Sequence, residues 1–189
     1  RHRSFPRDTT PFGYRDSIFK SEEMRGRYII TEVQFELTST PSPRLGYANL
    51  HDIAGDNPSA MDMRRAVIAI RDSKLPAPAI VGSAGSFFKN PVIDRARFAA
   101  IEAAMPGVKV PHYIVGDGVV KVPAAWLIDK AGCKDMSEGG ASLWHAQPLV
   151  IVNTCGTATP SDVTRLARHI IDTVSSRVGI TLQPEVEHI

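Results

Sequence analysis

The segment Gly82-Ser83-Ala84-Gly85-Ser86-Phe87-Phe88-Lys89-Asn90-Pro91 holds the densest set of groups able to do chemistry. Its two glycines let the backbone turn tightly and approach a ligand closely. Ser83, Ser86, Lys89 and Asn90 offer donors suited to phosphate or sugar oxygens. The segment lacks the Gly-Lys-Ser/Thr ending of a Walker loop, and no serine is flanked by glycines in the G-x-S-x-G spacing of a nucleophile elbow. A plain polar turn before a helix accounts for the same composition. In Gly13-Tyr14-Arg15-Asp16-Ser17-Ile18-Phe19-Lys20, an arginine beside a tyrosine can clamp a carboxylate or phosphate, or can form a local Arg–Asp pair on a surface loop. Near the end, Gln183-Pro184-Glu185-Val186 places a lone carboxylate after a proline, ordinarily a solvated position. Lys74 falls just past a helix end, where a cation suits the helix dipole. Tyr47 lies in an extended loop and could stack as a lid. The six histidines show no H-x-x-x-H or H-E-x-x-H arrangement, so no metal site is expected. Trp126 and Trp144 read as core residues.

Those residues need elements to hold them. From Tyr28 to Leu37 apolar and polar positions alternate, which predicts a half-buried strand with Val33, Phe35 and Leu37 on one face. The Ser/Thr/Pro stretch from Thr38 to Pro43 is the candidate boundary, giving domains 1–38 and 39–189. Asn57-Pro58 predicts a helix start, with Met63, Val67 and Ile70 facing inward and an end near Ser73. A second helix starts near Asp94, uses Phe98, Ile101 and Met105, and stops before Gly107. Val108 to Val122 reads as a hairpin around Gly116-Asp117-Gly118. Pro123 opens a short helix that Gly132 closes. Leu149 to Asn153 fits a buried strand. Thr159-Pro160 caps the longest helix, with Val163, Leu166, Ile170 and Val174 at helical spacing and Gly179 at its end. Ile180 to Val186 reads as a closing strand. The mixture predicts an α+β fold, with helices packed on one side of a small mixed or antiparallel sheet.

Composition sets the outer limits. The chain has 189 residues, 43% apolar and 22% charged, ordinary for a soluble globular protein. A net charge of +2 gives no general drive toward nucleic acid or a membrane surface. No apolar run is long enough to span a bilayer, and no secretory signal pattern is present. The two cysteines, Cys133 and Cys155, have no C-x-x-C spacing, which fits a reducing cytosol and argues against a disulfide framework or structural zinc. The chain opens without Met on ten residues of no periodic pattern, so it reads as a piece of a longer polypeptide.

Several motifs in order carry a resemblance. Gly-Ser-Ala-Gly-Ser-Phe-Phe-Lys-Asn-Pro at 82–91, Phe-Gly-Tyr-Arg-Asp-Ser-Ile-Phe-Lys at 12–20, Ala-Ala-Trp-Leu-Ile-Asp at 124–129 and Gln-Pro-Glu-Val at 183–186 resemble the UDP-N-acetylenolpyruvoylglucosamine reductase family. Lys74-Leu75-Pro76 and the run from Leu149 to Asn153 fall in the family's order as well. The resemblance implies an FAD-dependent, NADPH-driven oxidoreductase of peptidoglycan precursor synthesis, acting on a UDP-sugar enol ether in the cytoplasm. By the same resemblance Ser86 is the proton donor, while Arg15 and Glu185 flank the substrate carboxylate. Arg15 supplies fixed positive charge, and Glu185 helps if it is protonated or orients a donor. Tyr14 contacts the substrate, Tyr47 closes over the nucleotide, and Lys74, Asn90 and Gln147 hold the diphosphate and its neighbours. Residues 1–38 correspond to the tail of the FAD domain and 39–189 to the substrate-binding domain, so FAD is expected to be held mainly by a domain outside this chain. The expected partner is a UDP-N-acetylglucosamine-type nucleotide sugar, with no nucleic acid and no membrane. A stand-alone nucleotide-sugar binding module is the competing expectation, and a structural domain a third. Ser86, Arg15 and Glu185 discriminate, because binding alone needs no proton donor or carboxylate clamp.

Overall fold

A computed structural model describes residues 2–46 and 49–186. The chain divides into two compact units, Arg1–Ser42 and Pro43–Ile189.

The first unit has little regular structure. Strands β1 (Phe12–Gly13) and β2 (Asp16–Ser17) pair antiparallel through a two-residue turn, Tyr14-Arg15, and a single helical turn, Ile18–Lys20, follows. Phe5, Phe19 and Tyr28 meet edge to face at centroid distances of 5.0, 5.1 and 6.2 Å. Arg3 covers the Phe5 ring at 5.1 Å and donates to the Tyr28 hydroxyl at 3.1 Å. The strand expected at 28–37 does not form. The segment has no regular structure and no ladder partner among the described residues, leaving Val33, Phe35 and Leu37 at 63%, 78% and 85% exposure. Alternation specifies a strand only where a neighbour completes its hydrogen bonds.

The second unit carries the core and is α+β. In chain order it holds α1 (Leu50–Ala54), α2 (Ala60–Lys74), β3 (Gly82–Ser86), β4 (Val92–Asp94), α3 (Arg95–Ala104), β5 (Tyr113–Gly116), β6 (Val119–Lys121), α4 (Ala124–Lys130), β7 (Ser137–Glu138), β8 (Ala141–Trp144), β9 (Gln147–Asn153) and α5 (Pro160–Val178). All strand pairs are antiparallel, in a four-stranded sheet β3-β9-β8-β7 and a three-stranded sheet β4-β6-β5. Helices α4 and α5 pack on the four-stranded sheet. Leu127, Ile128, Leu166, Ile170 and Val174 join Ile151 and Leu143 in one core, with Phe87 and Phe88 buried in it. A smaller cluster of Leu50, Ala66 and Ile70 holds α1 against α2, with Met63 and Val67 packed beside it.

Caps decide the helix starts. α2 begins two residues after Pro58, because Ser59 and Asp62 form a reciprocal capping box there. Asp94 caps α3 by accepting from Arg97 N, and Phe98 and Ile101 face inward. Thr159 and Asp162 cap α5, and Gly179 closes it at φ 73°. The hairpin of β5 and β6 turns at Asp117-Gly118, with Gly118 at φ 76°. The closing strand expected at 180–186 is reduced to one bridge, Phe88–Pro184. Pro184 has no N–H, so the ladder cannot be propagated through it.

The β7–β8 turn is locked to the start of α5. Asp162 accepts from Thr159 N at 2.8 Å and from the backbone of Gly140, and it pairs with Arg165, which also binds Glu138 at 3.0 Å. A Cβ on Gly139 would collide with the Asp162 carboxylate, and one on Gly140 with the backbone of Ala158. The backbone and hydroxyl bonds from Thr159, helped by Arg165, hold the Asp162 carboxyl below its ordinary value of 3.8. A lowered folded-state value stabilises the fold above the unfolded-state value, and the gain is lost as pH falls through the lowered one. The melting-temperature gap between the parent chain and Asp162→Asn is therefore full above pH 3.8 and narrows below it, as a thermal-denaturation series across acid pH would measure.

Candidate functional site

The site is organised by five consecutive residues that leave β3. Phe87 N donates to Leu149 O at 2.7 Å, joining the segment to β9. Phe87 O accepts from Glu185 N at 2.8 Å, and Lys89 N donates to Gln183 O at 2.9 Å. Asn90 Oδ1 accepts from Ala124 N at 2.8 Å, and Pro91 O accepts from Val122 N at 3.0 Å. Residues 87–91 thus fasten the central strand, the C-terminal segment and the start of α4 together. The buried rings of Phe87 and Phe88, 5.1 Å apart, fix the strip in the core.

The strip ties the segment of Glu185 to that of Ser86: Glu185 N bonds Phe87 O, the carbonyl of the residue that follows Ser86. Ser86 ends β3 opposite Val150, is exposed, and its hydroxyl has no hydrogen bond among the described residues. Glu185 is half-buried. Just before Ser86, Gly85 takes φ 72° in an irregular step between Ser83 and Ser86, and Gly85 N donates to the Ser83 hydroxyl at 3.3 Å. The glycine-rich segment is therefore an exposed edge strand with a bulge, not a loop leading into a helix.

Asn90 has a structural duty that its type alone does not announce. The residue before α4 is Pro123, which has no side-chain cap to offer, so the first helical N–H must find an acceptor elsewhere. Asn90 supplies it, and that bond fixes which end of the amide is oxygen and which is the donating Nδ2. Gln147 opens β9, the strand that also bonds Phe87, and stands opposite Trp144 on β8. Trp144 is a half-buried residue rather than a core one; its indole Nε1 is buried without a partner among the described residues. Trp126 packs half-buried against the core. Lys74 is the last residue of α2 rather than a residue beyond it, and it is half-buried.

Tyr14 and Arg15 belong to the first unit and form the β1–β2 turn. Arg15 sits at φ 55°, the one non-glycine residue with positive φ among those described. That conformation costs roughly 1–2 kcal/mol without glycine. Tyr47 lies outside the described residues.

Other candidates fall away. A groove of about 530 Å³ on α5 is lined by Thr164, Ala167, Arg168, Ile171, Asp172 and Pro184, and it contains none of the expected site residues. Cys133 is fully buried, and burial pushes its thiol up, the reverse of an activated nucleophile. No cluster of three His, Cys, Asp or Glu suited to a metal occurs among the described residues. No helix there is long and apolar enough to cross a membrane.

Comparison with known proteins agrees with the ordering of these motifs. The family described as "UDP-N-acetylenolpyruvoylglucosamine reductase, C-terminal domain" matches residues 76–189. The UDP-N-acetylenolpyruvoylglucosamine reductase of Chromobacterium violaceum is 44% identical over 178 residues, covering 92% of this chain and 51% of its own length. That of Burkholderia multivorans is 47% identical over 180 residues, covering 92% and 50%. That of an Azoarcus species is 46% identical over 190 residues, covering 97% and 52%. The chain spans about half the length of the curated relatives it matches. With the family matched over the core, the 87–91 strip and the C-terminal segment alike, the chain belongs to the UDP-N-acetylenolpyruvoylglucosamine reductase family.

Proposed function

We propose that this chain is the substrate-handling part of a reductase that converts UDP-N-acetylenolpyruvoylglucosamine to UDP-N-acetylmuramate for peptidoglycan synthesis in the cytoplasm. The observation that supports the proposal is the pairing of 87–89 with 183–185, which joins the segment that follows Ser86 to the segment that carries Glu185. A nucleotide-sugar binding module without redox work would leave that pair, and Arg15, without a task.

Among the described residues the serine- and glycine-rich segments offer no cradle for a flavin diphosphate. The segment 82–86 is a bulged edge strand paired to β9, not a cradle at a helix N-terminus. FAD, its reduction by NADPH and hydride delivery are accordingly assigned mainly to a domain outside this chain, of which 1–38 is the tail. What falls to this chain is binding, orientation and the proton. Lys74 provides a point charge for the diphosphate, and Asn90 Nδ2 and Gln147 provide neutral donors beside it. Tyr14 and Tyr47 are assigned to substrate contact. Arg15 holds the carboxylate and offsets the negative charge that develops beside it. Reduction of the enol double bond leaves carbanion character on the carbon next to that carboxylate. Ser86 Oγ holds the proton that this carbon takes. A serine hydroxyl is a weak acid, so the transfer depends on a strongly basic carbon and close positioning. Glu185, protonated or orienting a donor, completes the clamp.

Titration of the chain with UDP-N-acetylglucosamine should show weak saturable binding, with Kd of about 1 mM, equivalent to roughly −4 kcal/mol. Flavin should not co-purify; a stoichiometric yellow flavin in the isolated chain would overturn the division of labour. In the flavin-containing protein, Ser86→Ala should lower kcat by about 10²–10⁴-fold and leave nucleotide-sugar affinity within a few-fold.

Asn90 separates its two duties by substitution. Asn90→Ala strips the cap from Ala124 and should cost about 1 kcal/mol of stability. Asn90→Asp keeps an acceptor and adds a charge that favours the α4 N-terminus, so stability should hold. Both should weaken UDP-sugar binding, Asp most, because its charge repels the diphosphate. Paired melting and calorimetric binding measurements distinguish the two effects.

A further inference from the structure

Positive φ is otherwise reserved for glycine in this chain, at nine described positions from Gly26 to Gly179. Arg15 is the exception, at φ 55° in the second place of the two-residue turn between β1 and β2. Glycine would sit there without strain, so the arginine side chain is kept against the preference of its own backbone. Such a conformation persists only where its surroundings hold it. A bond to the Arg15 carbonyl is placed to help do so. Lys20 Nζ donates to Arg15 O at 3.0 Å. The acceptor is a backbone carbonyl, so the bond is no ion pair and acts on the turn itself. Lys20 is itself set by the helical turn Ile18–Lys20, whose middle residue, Phe19, is gripped by Phe5 and Tyr28. Asp16 stiffens the other side of the turn by accepting from Ser17 N at 2.8 Å.

We infer that Lys20 is a positioning residue for the reaction: its ammonium group pins the Arg15 carbonyl, holds the turn left-handed and so aims the guanidinium at the substrate carboxylate. The inference rests on the proposed role of Arg15 and is tested separately from it. Lys20 itself does not touch the substrate.

The test is a mutant cycle in the flavin-containing protein. Arg15→Ala checks the underlying role; near-parental kcat there would remove the proposed part of Arg15 whatever Lys20 does. Lys20→Met should lower kcat about tenfold, the size of coupling common between contacting residues. Affinity for NADPH should stay unchanged, and Lys20→Arg, which keeps a charged donor, should recover most of the loss. In an Arg15→Gly background, where the turn is unstrained and the guanidinium gone, adding Lys20→Met should change kcat less than about twofold, because contacting groups are not additive. A kcat for Lys20→Met within twofold of the parent, alongside an impaired Arg15→Ala, would overturn the inference. An equal tenfold loss in the glycine background would overturn it too, since Lys20 would then act without Arg15.

Discussion

The second unit depends on five residues, 87–91, whose backbone and side-chain bonds reach four places at once: β9, the C-terminal segment, the start of α4 and the end of β6. Phe87 and Phe88 put two rings into the core from the same strip that presents Ser86 to solvent. Packing and chemistry are therefore joined in one stretch. A change that loosens the rings also disturbs the backbone bond from Glu185 N to Phe87 O, next to the serine. Such a strip can be rigid because the bonds described along it run to backbone or through the Asn90 amide.

Most of the elements could be read from the chain, because local signals made them. α5 announces itself through Thr159-Pro160, four apolar positions at helical spacing and Gly179. α3 does so through Asp94 and Phe98. The failures share one cause. The segment 28–37 has the alternation of a strand but no ladder, and 180–186 has apolar residues but a proline where the ladder must pass. Pairing is a property of two segments, and neither one alone reveals it. The β7–β8 hairpin was missed for a related reason: Gly139-Gly140 signals a turn, but its need for glycine comes from Asp162 and Ala158, distant in sequence.

The site was legible as residue types in ordered motifs rather than as geometry. Nothing in the spacing of Ser86 and Glu185 relates their two segments; the bridge between Phe88 and Pro184 does. Asn90 reads as a ligand donor, yet half of its amide is committed to capping α4, a demand created by Pro123. The strain at Arg15 is likewise invisible until the turn is seen, because the motif names the residue and not its φ.

The apolar stripe of the first unit bears on how the chain behaves in a test tube. Ile29, Val33, Phe35 and Leu37 fall on alternating positions of the sequence and are 90%, 63%, 78% and 85% exposed. A strand-ready segment of this kind is a template for another like it, and two copies can complete each other's hydrogen bonds while drying the stripe. Glu32 and Glu36, interleaved along the same backbone, oppose that by bringing like charges together. Concentration and salt then act against each other: dilute, low-salt solution keeps copies apart, while added salt screens the glutamates and removes the main brake on stacking.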